Sequence, residues 1–207
     1  YAYSGTGFRY LHAAVEAITG KSLTQLLDEY LFGPLEMNDS SFLWRDDFQS
    51  NATWGHDDNG VENREILHLD QEFPEGGLVT SITDFTKFIQ FILDEQAANN
   101  SLIAAMIEPT ILARDYGDQG QMSWGLGWGI EQATLGNRLW HTGSNGVFKS
   151  FVLIDVDKQS ALLFFANAEN GLEIIPGLLE QTIGATGLSG VYQRTISESM
   201  RYPAQRN

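Results

Sequence analysis

Three stretches of this chain gather residues able to move protons or hold charge. The first, Tyr3-Ser4-Gly5-Thr6-Gly7-Phe8, stands at the head of a helical pattern. A phenol just before a helix N-terminus lies near exposed backbone N–H groups and a positive dipole end, both of which favour a phenolate. Tyr3 is then placed to relay a proton; a tyrosine that only packs is the plainer reading. The second stretch, Trp140-His141-Thr142-Gly143-Ser144-Asn145-Gly146, falls between two predicted strands. Its imidazole, hydroxyls and amide can line a site for a carboxylate or carbonyl. Gly143 lets a ligand lie against backbone, and neighbouring N–H groups can serve as oxyanion donors. A plain turn has the same composition. The third, Gly76-Gly77-Leu78-Val79-Thr80-Ser81, either binds an anion at the start of a helix or simply caps it.

The elements around these stretches follow from periodicity and punctuation. Phe8, Leu11, Val15 and Ile18 recur at three- and four-residue steps and predict an amphipathic helix from Gly7 to Thr19, with Gly20 as its C-cap. Ser22 and Gln25 have capping-box spacing and open a second helix to about Phe32, which Gly33-Pro34 ends. Residues 40–75 are irregular and polar. A helix after Asp84 carries Phe85, Phe88, Ile89 and Ile92, and a short one runs from Ser101 to about Glu108. After Gly120 the texture changes: Ser123–Glu131 alternates Trp and Gly with aliphatics, and Val147–Val156 and Ser160–Ala168 are β-rich runs joined through Asp157-Lys158-Gln159. Gly171–Ile183 reads as a closing helix. Helices, then an antiparallel meander, then a helix predict an α+β architecture.

Bulk properties narrow the function classes. With 43% hydrophobic and 19% charged residues, the 207-residue chain is of ordinary globular composition, long enough for one good core or two small lobes. A net charge of −15 and the lack of a Lys/Arg cluster argue against nucleic acid as a partner. The chain has no cysteine, which removes disulfides, thiolate metal sites and a Cys nucleophile. Its four histidines, at 12, 56, 68 and 141, lack metal-ligand spacing, so neither metal nor cofactor is expected. No apolar run reaches the roughly 18 residues of a membrane span.

Taken in order, the stretches carry a resemblance. Tyr3-Ser4-Gly5-Thr6-Gly7-Phe8-Arg9-Tyr10-Leu11, then Thr19-Gly20-Lys21-Ser22-Leu23 and Gly33-Pro34-Leu35-Glu36-Met37, resemble the segment after the second active-site motif of serine β-lactamase-like hydrolases. This is the penicillin-binding-protein superfamily of class C β-lactamases, D-alanyl-D-alanine carboxypeptidases, D-aminopeptidases and esterases. Gly76 to Phe85 is similar to that family's later helix start, and Gly125-Leu126-Gly127-Trp128-Gly129 with Trp140 to Gly143 resembles its third-motif strand. The resemblance runs from Tyr3 to about Gly184. It implies an acyl-enzyme mechanism on a D-amino-acid peptide, a β-lactam or an ester. It assigns proton transfer to Tyr3, an oxyanion-hole N–H to Ser144, and substrate binding to His141, Thr142, Gly143 and Asn145. It implies a periplasmic or secreted location.

Three departures qualify that expectation. Gly5 stands where the family usually has Asn, and His141 replaces the commoner Lys. No serine is followed three positions later by lysine, so the family's Ser-x-x-Lys nucleophile is missing from these residues. The chain opens Tyr1-Ala2-Tyr3-Ser4, with neither initiator Met nor signal peptide, which reads as a processed product, an engineered piece or the remainder of a longer chain. The expectation is therefore an incomplete β-lactamase/transpeptidase-like domain over residues 1–190. Its helical region covers about 6–120, its strands about 121–168 and its closing helix about 171–184, and a polar tail follows at 191–207. A bare sheet edge and helix face would then bind the missing N-terminal segment or a second copy of the chain. A non-catalytic binding module with the same strand is the alternative.

Overall fold

Six antiparallel strands follow one another in space as they do in sequence: β3 (Ile111–Asp115), β4 (Gly120–Trp124), β5 (Gly129–Ala133), β6 (Gly136–Asn145), β7 (Phe148–Asp155) and β8 (Ser160–Ala166). The computed structural model describes residues 1–63, 70–133 and 136–182. Its contacts divide it into a sheet unit (Tyr1, Gly55–Asn63 and everything from Leu93) and a helical unit (Ala2–Trp54 and residues 64–92).

In the sheet unit, β7 lies between β6 and the edge strand β8 and is buried over most of its length. Phe151 to Val156 are all buried, so both faces of this strand are covered, which the unbroken apolar run Phe151-Val152-Leu153-Ile154 requires. On one face Trp140, Phe151, Leu153 and Met122 pack with Leu172, Ile175 and Leu179. The last two lie four residues apart on α5 (Ile175–Thr182) and meet the sheet from one helix face. Full burial of a side chain of this size contributes about 1.5–3 kcal/mol. The indole of Trp140 lies across Gly129, where an added Cβ would come within 2.5 Å of the ring. Only glycine fits there.

A charged ladder crosses three strands beneath the same face. Glu131, Arg138 and Asp155 are buried and paired in register across β5, β6 and β7. Arg138 Nε donates to Asp155 at 3.2 Å, Arg138 Nη1 lies 3.9 Å from Glu131, and Lys158 lies 3.4 Å from Asp155. A small hairpin of β1 (Gly55–His56) and β2 (Glu62–Asn63) completes this unit, with His56 N–H donating to the Asn167 carbonyl at 2.7 Å.

The helical unit buries Phe32, Met37, Phe48, Ile89 and Ile92, and polar groups fix its helix ends. α1 (Gly5–Thr19) begins at Ser4, whose hydroxyl accepts from Gly7 N–H, and ends at Gly20 in the left-handed region (φ 68°). α2 (Leu23–Leu27) carries the predicted capping box and continues as a π-helical turn through Phe32. Glu72 reaches back to this helix start, accepting from Leu23 and Thr24 N–H at 3.1 and 2.8 Å, with His12 Nε2 3.3 Å away. Burial works to raise the Glu72 carboxyl, but the hydrogen bonds from Thr24 and Leu23 and the imidazole of His12 outweigh it and hold it below the ordinary value. α3 (Ile82–Ala97) is capped by Ser81, and its buried Asp84 accepts from Asp39 N–H, Ser40 hydroxyl and Lys87. α4 (Ser101–Ile107) leads into the sheet.

The architecture is the expected α+β one, with three differences in detail. The sheet starts at Ile111, ahead of the expected 121. Ile111 and Leu112 are half exposed on an edge strand, which blurs the alternation that marks a strand. Residues 140–145, whose composition alone also suits a plain turn but whose first four residues resemble the third-motif strand, are the second half of β6. The irregular stretch 40–75 contains a 3₁₀ turn at Asp46–Ser50 and the β1–β2 hairpin, while residues 64–69 lie outside the described ones. So do residues 183–184 of the closing helix and the 191–207 tail.

Candidate functional site

β6 outruns β5. Their pairing ends at Gly129↔Trp140, whereas β6 and β7 stay in register to Asn145↔Phe148. His141, Thr142, Gly143, Ser144 and Asn145 therefore occupy consecutive positions on an extended strand held by its β7 ladder. Strand alternation puts Thr142 and Ser144 on the face of Trp140, and His141, Gly143 and Asn145 on the other. A two-residue link, Gly146-Val147, closes the β6–β7 hairpin, with Gly146 at φ 56° as the first turn position demands.

His141 is half-buried. Its Nδ1 is 2.9 Å from the Thr142 carbonyl oxygen, and its ring stands edge-on to Trp124 with centroids 5.6 Å apart. Trp124 also packs on Trp140 and stacks on Tyr1, both at 5.7 Å. Burial pushes the His141 imidazole below its ordinary value, and the hydrogen bond to the Thr142 carbonyl pulls the other way without restoring it. The Thr142 hydroxyl donates to the Ser150 carbonyl at 3.3 Å, which orients it. An added Cβ at Gly143 would meet the Ser150 hydroxyl oxygen at 2.3 Å. Ser144 and Asn145 are exposed at the strand end.

Two residues beside the predicted ones had no strong sequence signal. Lys149 lies opposite Ser144, its ammonium donating to the Ser144 hydroxyl at 2.8 Å and to the Gly146 carbonyl. A hairpin register drawn from Gly146 would have found it. Glu75 lies against Gly5, its Cγ 3.3 Å from where a Cβ would stand, and pairs with Arg9. The room that a side chain at position 5 would need is thus taken by Glu75.

In the helical unit, Tyr3 immediately precedes the Ser4 cap of α1 and is half exposed, the position expected from sequence. At the third stretch, Ser81 accepts from Asp84 N–H at 3.2 Å and Thr80 bonds Ser40, which is the capping arrangement. Among the described residues, no helix is long and apolar enough to cross a membrane.

Comparison with known proteins identifies the fold. The fold matches a penicillin-binding protein homologue from Pyrococcus abyssi, described as octameric, with a TM-score of 0.75 at 20% identity, covering 89% of this chain and 43% of that one. It also matches a beta-lactamase/D-alanine carboxypeptidase from Pseudomonas syringae, with a TM-score of 0.64 at 15% identity, covering 81% of this chain and 55% of that one. The chain thus spans about half the length of these two structures. No curated protein matches it. A family model described as Beta-lactamase matches residues 1–176, and on that match the chain belongs to the beta-lactamase family.

Proposed function

We propose that this chain is the recognition half of a serine hydrolase that works through an acyl-enzyme on a D-amino-acid peptide, a β-lactam or an ester. Residues 1–190 would form one portion of a single hydrolase domain. In this reading Tyr3 transfers the proton, the backbone N–H of Ser144 serves the oxyanion hole, and His141, Thr142, Gly143 and Asn145 bind substrate. The nucleophile comes from a Ser-x-x-Lys segment outside these 207 residues, carried on the same reading frame or by another chain. The periplasm or the cell exterior is the proposed location.

The observation that supports this reading most is the in-register extension of β6, which lays the His-Thr-Gly sequence along a strand end within a family-matched sheet. The test is kinetic, on the chain joined to the preceding part of its reading frame. Tyr3→Phe should lower kcat for a p-nitrophenyl ester by about 10²–10⁴-fold, the usual share of general acid–base catalysis. Unchanged kcat in Tyr3→Phe would remove the proposed role.

A second reading, a non-catalytic binding module, draws on the lack of Ser-x-x-Lys in the sequence. Substrate binding without turnover in the joined protein would favour it.

A further inference from the structure

Gly5 opens α1 without using the freedom of a glycine. Its φ is not positive, and it sits in helical backbone that any residue adopts. What limits the position is a neighbour. A Cβ there would stand 3.3 Å from Glu75 Cγ and 3.4 Å from Glu75 Cβ. The room beside Gly5 is filled from the turn Phe73–Gly77 rather than from α1 itself. That turn is closed by the Gly76 and Gly77 N–H groups, which donate to the Phe73 carbonyl at 3.2 and 2.7 Å. One turn along α1, Arg9 pairs with Glu75 Oε1 and lies over the Phe73 ring at 5.3 Å. Glu75 is therefore held along the face of α1 that carries positions 5 and 9.

Ion pairing does not account for this carboxylate. Arg9 is 57% exposed, and a pair so open to water adds little to stability. Oε2 is shielded from solvent and accepts no hydrogen bond among the described residues, an arrangement that costs free energy. Its place in the motif suits chemistry better. Ser4, between Tyr3 and Gly5, is extended (φ −143°, ψ 105°), and in extended backbone alternate residues project to one side. A group that fills the side-chain room of position 5 thus lies on the Tyr3 side of the chain. It also lies at the positive end of α1, where an anion is favoured.

We propose that Glu75 is a positioning residue for Tyr3: it supplies, from the turn ahead of α3, the polar group that the motif lacks at Gly5, and holds the Tyr3–Gly5 backbone in place. This rests on the hydrolase reading, in which Tyr3 transfers a proton, and adds a residue to it.

Two experiments test it. The first needs no turnover: a double-mutant cycle of urea stability on the 207-residue chain. Gly5→Asn should lower the unfolding midpoint, and the same substitution beside Glu75→Ala should lose less than about half as much, because contacting residues couple. An equal loss in both backgrounds would overturn the shared room. The second is kinetic, on the chain joined to the preceding part of its reading frame, with a p-nitrophenyl ester. Glu75→Leu keeps the bulk and removes the polar group. It should lower kcat by about tenfold to a hundredfold, the cost of a displaced catalytic group, with KM within about twofold. Glu75→Gln should recover most of that loss. Equal activity of Glu75→Leu and Glu75→Gln would overturn the positioning role and leave the hydrolase reading intact. A joined protein without turnover would sink the hydrolase reading, and the stability cycle then decides by itself whether Glu75 holds the place of a side chain at position 5.

Discussion

The two units are stabilised by different means. The sheet unit buries Trp140, Phe151, Leu153, Ile175 and Leu179 in one cluster and holds its strands in an unbroken antiparallel order. The helical unit's first helix buries none of its residues, leaving Leu11 56% and Ile18 84% exposed. That unit adds to its buried Phe32, Met37, Phe48, Ile89 and Ile92 a set of end caps and carboxylate anchors: Ser4, Ser22, Glu72, Ser81 and Asp84. Apolar packing tolerates little movement, because a well-filled core has few alternative arrangements. It is therefore the sheet that can hold the proposed recognition strand in a fixed register.

The contrast can be broken at its strongest point, the buried ladder. Arg138→Met leaves buried Glu131 without this cation and Asp155 with the exposed Lys158 alone, and should cost about 3–5 kcal/mol of stability, whereas replacing all three with apolar residues should recover most of it. Urea denaturation followed by circular dichroism measures both. A small loss in the single variant would mean that water reaches the ladder.

Asp84 is the corresponding buried charge of the helical unit. Asp84→Ala leaves the Asp39 N–H without its acceptor and the Ser40 hydroxyl with Thr80 alone, and should cost about 1.5–3 kcal/mol. Amide hydrogen exchange should place the loss around Asp39 to Ser41 and the start of α3, with the β6–β7 amides little changed.

The units should also respond to acid at different pH. His141 is held neutral by burial, so the unfolded chain binds more protons than the folded one once pH falls through about 6.5, the ordinary histidine value. Sheet stability should decline there, and His141→Gln should remove that decline. Glu72 acts in the same direction, at lower pH. Its depressed value contributes stability above the ordinary carboxyl value of 4.5, and that contribution is lost only as pH falls through the lower, folded value. Exchange rates of β6 and α2 amides from pH 7.5 to 3.5 separate the two. The smallest effect is expected at Ile18→Ser, within about 0.5 kcal/mol in this chain, since the side chain is already in water.

These differences explain what could be read from the sequence. Elements with local signals were legible. Gly20 marked a helix end, Ser22 with Gln25 a capping box, and the apolar run at Phe151–Ile154 a buried strand. Of the site, the cluster His141 to Asn145 was visible because its residues are consecutive. Its strand character came only from the family resemblance of Trp140 to Gly143, since polar residues at a strand end show no apolar alternation and the ladder with β7 extends them. Lys149 and Glu75 were missed for a related reason. One is brought to Ser144 by hairpin register and the other to Gly5 across seventy residues, and neither pairing leaves a trace in local spacing.

The most direct measurement is intact-mass spectrometry after incubation with a fluorescent penicillin or a p-nitrophenyl ester. It compares the 207-residue chain with the longer product of the same reading frame. The expected result is no adduct on the shorter chain and one acyl group on a Ser-x-x-Lys serine of the longer one. A stoichiometric adduct on the 207 residues alone, or a longer product that never acylates, would contradict a recognition half that relies on a serine supplied from outside it.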